Sequence, residues 1–445
     1  MIERQQKMKL KTLKRKNKYF YMGVICGVML LTLLIFNTSR AKYRTTQSIE
    51  LARGTINYTV PDLNLVSMYI EDNGEYKASN TVPSNGYKLN QDKSYCAVNG
   101  NKNNSITILY SNSQVTIGNL TQKGTKCYLY FDVKQYTCKG IACETIMANM
   151  NTWKTRSNFD SIVTDTTTGV IYKSLNETQY DDDGETYYFA GAPTDNWVKF
   201  GGYYWRIIRI NGNGTIRMIF DGTTPHENGT STTDNITVAN VAYNEDYEKS
   251  EMVGWTYTLG EQRGNSTSSN AKTKLEEWYN SNLKNYDNYI AAEKFCNDRE
   301  TNETWESSPE KNIIYSLNRL NAPTFKCSNQ EDALNLKAGL ITMDEIAYAG
   351  GQYNISNAKY YLYNGQAYWT MSPSHYLYNA SNNYRDTVVY LLMPDGGFYT
   401  GVKTIGTVNI SARIDNKHGL RLVINLKADT QFTSGNGTSS NPYTV

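Results

Sequence analysis

A dense basic run, followed at once by a long uncharged apolar block, constrains this chain more than any other feature. Arg4, Lys7, Lys9, Lys11, Lys14, Arg15, Lys16 and Lys18 stand against Glu3 alone before Tyr19, and the stretch from Tyr19 to Phe36 carries no charge. As a helix, that stretch rises roughly 27 Å, close to the hydrocarbon core of about 30 Å. Basic flanks stay on the cytoplasmic side. The pattern predicts a single-pass protein of the cell membrane, with a basic cytoplasmic tail over 1–18, a transmembrane anchor over 19–36 and the bulk of the chain extracellular. A cleaved signal peptide is the alternative, because Ser39-Arg40-Ala41 offers small residues to a peptidase. The apolar block is longer than the usual h-region of about 7–15 residues. Arg40 also sits inside that site, so an uncleaved anchor is the expectation.

The charge divides at the same point. The chain has 45 Lys+Arg and 42 Asp+Glu; without the eight basic residues and Glu3 of the tail, 37 face 41. The external part is therefore mildly acidic, which argues against nucleic acid as a partner. The basic tail suits anionic membrane lipid headgroups. The external part is long enough for two or three domains. Its abundant Tyr and Asn and scarce Pro fit β-rich structure with polar turns, although an AT-rich genome would bias composition the same way.

Cys26 lies within the apolar block, which leaves Cys96, Cys127, Cys138, Cys143, Cys296 and Cys327 outside. Six cysteines in an oxidising compartment suggest bridges, with fifteen connectivities available. The preferred set is Cys96–Cys127, Cys138–Cys143 and Cys296–Cys327; free thiols are the alternative. Metal binding by cysteine is disfavoured, since the chain has no Cys-X-X-Cys pair and three His.

Residues 45–135 read as a small β sandwich. Short β-rich runs such as Leu65–Ile70, Ser105–Tyr110 and Lys126–Phe131 are separated by turn signals including Asn73-Gly74 and Pro83-Ser84-Asn85-Gly86. Residues 136–185 read as a connector with a short helix near Glu144–Asn151. From Thr186 onward the pattern sharpens. Asn211-Gly212-Asn213-Gly214 between β-rich runs predicts a tight hairpin. Leu275, Trp278, Tyr279 and Leu283 predict an amphipathic helix over about Ala271–Asn285. Thr342-Met343-Asp344-Glu345 predicts a capped helix start. The 429–445 tail, rich in Gly, Ser, Thr and Asn, reads as a strap or a loose end.

Four segments together carry a resemblance. They are Asn196-Trp197-Val198-Lys199-Phe200-Gly201-Gly202-Tyr203-Tyr204-Trp205-Arg206-Ile207-Ile208-Arg209-Ile210, Gly339–Glu345, Tyr368–Ser372 and Gly419–Leu426. In this order they resemble a domain of uncharacterised surface proteins of Gram-positive bacteria. The resemblance implies a C-type-lectin-like fold over 186–428, of the broad group that includes formylglycine-generating enzymes and phage tropism determinants. Leu422 stands where such domains usually have Pro. The Gly435–Tyr443 ending looks like a closing motif of such proteins, and 45–132 is loosely similar to matrix-fibre-type β domains. Formylglycine-generating enzymes use a reactive cysteine pair near the end of the domain; no cysteine follows Cys327, so that activity is not implied. The fold class expected is α+β and β-rich: a transmembrane helix, a small β sandwich, then a C-type-lectin-like domain.

In such a fold the long loop segment is the usual ligand site. Tyr360, Tyr361, Tyr363, Tyr376 and Tyr378 cluster there with Asn379 and other Asn residues, and read as exposed aromatics suited to sugars or peptides. An exposed loop of biased composition is the alternative. The acidic turn Asp181-Asp182-Asp183-Gly184-Glu185 offers Asp181 and Asp183 as calcium ligands, but Ala190 stands where an EF-hand needs Glu. A solvated turn is the simpler account, and no other cofactor is expected. His226, His375 and His418 lie beside turn residues, with no Gly-X-Ser-X-Gly elbow and no His-Glu-X-X-His. The expected function is ligand binding or adhesion at the cell surface, to glycan or protein. A structural or scaffolding subunit of the envelope is the alternative, and an extracytoplasmic enzyme stands third.

Overall fold

The computed structural model describes residues 64–83, 87–111, 114–133, 137–165, 168–231, 236–301, 303–315, 319, 322–405 and 407–445. The basic tail, the predicted anchor, the Ser39-Arg40-Ala41 site and residues 84–86 of the Pro83–Gly86 turn lie outside the described residues. Among the described residues no helix is long and apolar enough to cross a membrane. They form a β-rich structure with few helices.

The chain divides into two contact-dense units. Among described residues, the smaller holds 64–65, 98–101 and 121–125. In it the Asn64 side-chain oxygen accepts from the Thr125 N–H at 3.0 Å, and the Thr125 hydroxyl donates to the Gln122 carbonyl at 2.7 Å. The larger unit holds the remainder.

The first strands follow the turn chemistry. Leu65–Asp72 and Glu75–Ser79 pair antiparallel with Asp72 opposite Glu75. Asn73 and Gly74 between them have φ of 52° and 84°, the left-handed geometry that an Asn-Gly hairpin needs. These strands belong to a six-stranded sheet in which Thr125–Val133 is central. That strand buries Cys127, Leu129 and Phe131 on one face, at period two. Thr107–Ser111 and Gln114–Gly118 form a separate hairpin, with Tyr110 edge-on to Phe131 at 5.0 Å. The expected sandwich is thus one sheet with one hairpin against it. All three preferred disulfides are present: Cys96–Cys127, Cys138–Cys143 and Cys296–Cys327.

Residues of the 137–165 and 168–185 segments take part in the packing and sheet pairing of the C-terminal half. Helix α1 (Ile141–Met147) buries Ala142, Cys143, Ile146 and Met147, and the Ala142 N–H donates to the Ala428 carbonyl at 3.1 Å. Thr152–Lys154 and Val170–Lys173 are strands of a ten-stranded sheet. Its order continues through Tyr187–Tyr188, Tyr203–Ile210, Ile216–Phe220, Val423–Leu426 and Ile290–Ala291. Trp197–Phe200 pairs beside Tyr203–Ile210 and carries Tyr443–Thr444 in parallel, so the tail is a strap. A second, six-stranded sheet is built on Tyr368–Asn379 and Tyr384–Leu392.

The predicted hairpin at Asn211–Gly214 joins the two central strands, with Ile210 opposite Ile216. Helix α2 (Asn270–Asn282) buries Ala271, Leu275 and Tyr279, and Ser269 caps it by accepting from the Lys272 N–H. It stops before the expected end, and a single 3-10 turn, Lys284–Tyr286, follows. Helix α3 (Met343–Ala349) starts with the predicted capping box of Thr342 and Glu345 and is buried throughout. Trp205 and Trp369 are fully buried core residues, as their strand positions suggest.

Candidate functional site

Gly201 and Gly202, both at positive φ, fold Trp197–Phe200 back onto Tyr203–Ile210, and the register sets Trp197 opposite Arg206. Directly opposed residues share one face of a sheet. The Arg206 guanidinium accordingly lies over the Trp197 indole, 4.0 Å from the ring centre. Arg206 has no exposed surface. Its Nε donates to Asn196 Oδ1 at 2.8 Å, and its Nη2 donates to the Pro193 carbonyl at 2.8 Å and to Asn228 Oδ1 at 2.9 Å. Among the described residues its Nη1 has no hydrogen-bond partner. Burial is the main influence on this group and pushes its pKa down to about 10, opposed by the Asp221 charge. Arg206 is therefore a cation at neutral pH.

Asp221 follows the Ile216–Phe220 strand and is fully buried. One of its oxygens pairs with Arg421 Nη2, and the other lies 2.9 Å from His226 Nδ1, off the line of a hydrogen bond. The second ring nitrogen of His226 faces the Tyr363 carbonyl at 3.5 Å. A nucleophilic triad would need a hydroxyl at that position. With a carbonyl rather than a hydroxyl at its second ring nitrogen, His226 does not form a triad with Asp221.

Three loops raise walls around Arg206. Pro225–Gly229 forms one, Ala358-Lys359 the second, and the 192–194 segment the third, with Thr164 and Ser439 at the margin. The Asn228 side chain locks two of these walls together by donating to the Pro193 carbonyl at 2.8 Å. Gly229, at positive φ, lets its loop approach the Ala358 carbonyl. The cleft is open to solvent and measures about 720 Å³, within the range of small-molecule sites. Its walls mix hydroxyl, amide and charged side chains with small apolar ones.

The tyrosines expected to be exposed mostly are not. Tyr360, Tyr361 and Tyr376 are fully buried, which corrects their assignment as surface aromatics. Tyr376 is buried on the Tyr368–Asn379 strand; for Tyr360 and Tyr361 the reason lies in an Asn neighbour. Asn357 is buried and donates to the Gly350 and Val163 carbonyls at 2.9 and 3.0 Å, so the loop is packed inward by its own polar groups. Tyr361 lies beneath Arg206, 5.4 Å from its guanidinium carbon. Tyr363 is half-buried, and its hydroxyl meets Ser231 at 2.9 Å. Tyr378 is half-buried under the Arg385 guanidinium, and Asn379 is exposed. These two and Tyr376 lie opposite Arg385, Tyr384 and Thr387 on the second sheet, and none of them lines the cleft.

Asp181 is saturated by protein groups. One oxygen accepts from the N–H groups of Asp183 and Gly184 at 2.9 and 3.1 Å; the other accepts from Gly212 N–H at 2.8 Å and pairs with Arg209 at 3.3 Å. Asp183 is exposed, and its carbonyl accepts from Lys139 Nζ at 3.1 Å. The acidic turn thus clamps the central hairpin. Cys296, Asp298 and Cys327 come within metal-binding distance of one another, but the two sulfurs are joined to each other.

Sequence reasoning passed over Arg206, Asp221 and Asn228 as site residues. A usable signal existed: Arg206 interrupts an apolar strand, and a charge buried in a strand requires compensation. No known protein family, curated protein or solved structure matches this chain.

Proposed function

We propose that the chain is a membrane-tethered protein that presents a ligand-binding head outside the cytoplasm, and that the Arg206 cleft is its binding site. One observation carries the binding role: loops from three parts of the chain wall a cleft of about 720 Å³ over Trp197 and Arg206, whose guanidinium is held in place by three neutral acceptors. The three disulfides favour an oxidising compartment, and the 19–36 block with its basic flank supplies the tether. The four resembling segments support a C-type-lectin-like ancestry for the head.

A glycan and peptide array probed with the full chain tests the binding role. Ala358 is exposed on the cleft wall, so Ala358→Trp fills the cleft without touching the core. The wild-type chain is expected to bind a subset of probes, and Ala358→Trp to lose them. Equal binding by both chains would remove the cleft from consideration. Mass spectrometry of the mature N-terminus tests the tether: cleavage after Ala41 would make the head a released one.

A further inference from the structure

The Thr125–Val133 strand buries Cys127, Leu129 and Phe131 on one face, and its period of two sends Lys126, Tyr128, Tyr130 and Asp132 to the other. On that other face the Tyr130 ring meets Tyr69 at 4.8 Å and Tyr76 at 5.1 Å, and Tyr128 meets Tyr95 at 5.1 Å. All five tyrosines are half-buried and keep part of their surface in water. The ammonium groups of Lys93 and Lys102 lie over the Tyr76 and Tyr95 rings, 4.3 and 5.8 Å from the ring centres. Lys93, Lys102 and Lys126 are exposed, and among the described residues none of them forms an ion pair. Two carboxylates share the face, and both are engaged. Asp132 accepts from Asn90 at 3.0 Å and from the Tyr76 hydroxyl, and Glu71, opposite Tyr76, accepts from the Val133 N–H at 3.0 Å. Lys88, opposite Asp132, is half-buried and turned over the Trp153 ring. Asp92, in the Lys93 turn, is exposed and offsets one of the free lysines. The face is thus aromatic with an excess of exposed positive charge, in an external part that is mildly acidic overall.

We propose that this face lies on the headgroups of an anionic bilayer, the one that holds the 19–36 block; this rests on the tether proposed above. Residues 37–63 are all that separates that block from the first strand in sequence, so a tethered chain holds the sheet at high effective concentration beside the lipid. Tyr and Lys together suit such a surface. Phenol rings settle at headgroup level with their hydroxyls toward water, and ammonium groups meet lipid phosphates. The ring geometry disfavours a glycan platform. A sugar stacks on a free ring face, but Tyr69 and Tyr130 face each other with planes 13° apart, and Tyr95 and Tyr128 do so at 30°. The lysine ammonium groups lie over Tyr76 and Tyr95. Ring edges, hydroxyls and positive charge are what the face has left to offer.

The test labels lysines of the full chain in vesicles with a membrane-impermeant acylating reagent and reads each site by mass spectrometry. One vesicle is phosphatidylcholine alone; the other also carries phosphatidylglycerol. Each lysine near an anionic surface strengthens association about fivefold. Lys93, Lys102 and Lys126 should therefore label at least about tenfold more slowly with phosphatidylglycerol. Lys77, on the opposite face of the sheet, should label equally in both. Salt at about 1 M, where the Debye length is about 3 Å, should remove the protection. Lys102→Glu with Lys126→Glu, both at exposed positions, should restore the labelling of Lys93. Equal labelling of the three lysines in the two vesicles overturns the proposal. Stronger protection by a soluble glycerol-phosphate polymer than by the vesicles also overturns it and makes the face a polyanion site. The tether is read separately: a chain that does not float with phosphatidylcholine vesicles refutes the tether alone, and the labelling comparison with added vesicles still decides the face.

Discussion

Arg421 ties the cleft to the core of the head. It is fully buried, donates from Nε to the Phe220 carbonyl at 2.8 Å and from Nη1 to the Leu362 carbonyl at 3.0 Å, and pairs with Asp221 through Nη2. Replacing one member of a buried pair strands the other charge. Arg421→Met should therefore cost about 3–5 kcal/mol in chemical denaturation. Adding Asp221→Asn should restore part of the loss; a fully additive double variant would show that the two do not interact. Asp344 gives a pH-dependent counterpart. Burial pushes its carboxyl up to about 6, against the pull of Arg319 at 3.5 Å and of the Thr324 N–H at 3.0 Å, with Asp298 and Glu345 adding to the rise. The folded value lies above the unfolded value of about 3.9, so the native state holds the extra proton between the two. The stability this group contributes is complete below about pH 4 and is lost as pH rises through about 6. Asp344→Asn should flatten the fall in melting temperature across that window. An unchanged slope would assign the titration elsewhere. The partners of neither residue were legible in the sequence: Arg421 between Leu420 and Leu422 signals burial but names no partner, and Asp344 was seen only as part of the Thr342–Glu345 helix start.

Local chemistry decided which elements were legible. The Asn211–Gly214 hairpin, the Thr342–Glu345 capping box and the helix read from Leu275, Trp278, Tyr279 and Leu283 each rest on contacts a few residues apart; the first two formed where their motifs lay, and the helix formed over Asn270–Asn282. The Thr152–Lys154 and Val170–Lys173 strands pair in parallel, and Trp197–Phe200 pairs in parallel with a strand near the C-terminus. Parallel pairing leaves no tight-turn signal, so these joins were invisible and residues 136–185 looked like a connector. The tyrosine loop failed for another reason: Asn-rich sequence marked turns correctly, but its amides turned inward and took the rings with them. The disulfides allow a comparison between elements. Cys296–Cys327 spans 31 residues, whereas Cys138–Cys143 spans 5 and holds the start of α1. Chain-entropy reasoning gives roughly 3–4 kcal/mol for the long loop and roughly 2 kcal/mol for the short one. Paired Cys→Ala variants, compared by urea midpoints with similar slopes, should follow that order. The reverse order would mean that α1, which docks on Ala428, depends on its bridge for more than loop closure.

At the scale of the molecule, the C-terminal strap links stability to the proposed site. Tyr443 is fully buried, its hydroxyl accepts from the Asn149 side chain at 3.0 Å, and its ring lies 5.1 Å from that of Phe432. Tyr443–Thr444 covers the edge of the Trp197–Phe200 strand, and the Gly437 carbonyl accepts from the Trp197 N–H at 2.8 Å. Ser439 on the same strap lines the cleft. Removing residues 432–445 should therefore do two things at once. Stability should fall by at least the roughly 1.5–3 kcal/mol associated with burying one large side chain. Ligand affinity should also fall, because the strand that positions Trp197 and Arg206 loses its outer neighbour. Tyr443→Phe separates the two effects. It keeps the strand and the ring and removes one hydrogen bond, so it should cost about 1 kcal/mol and leave affinity unchanged. A truncated chain that melts and binds like the full one would show that the strap only rests on the sheet. If instead affinity falls together with stability in the truncation and stays constant in Tyr443→Phe, the strap is part of what holds the Arg206 guanidinium in place.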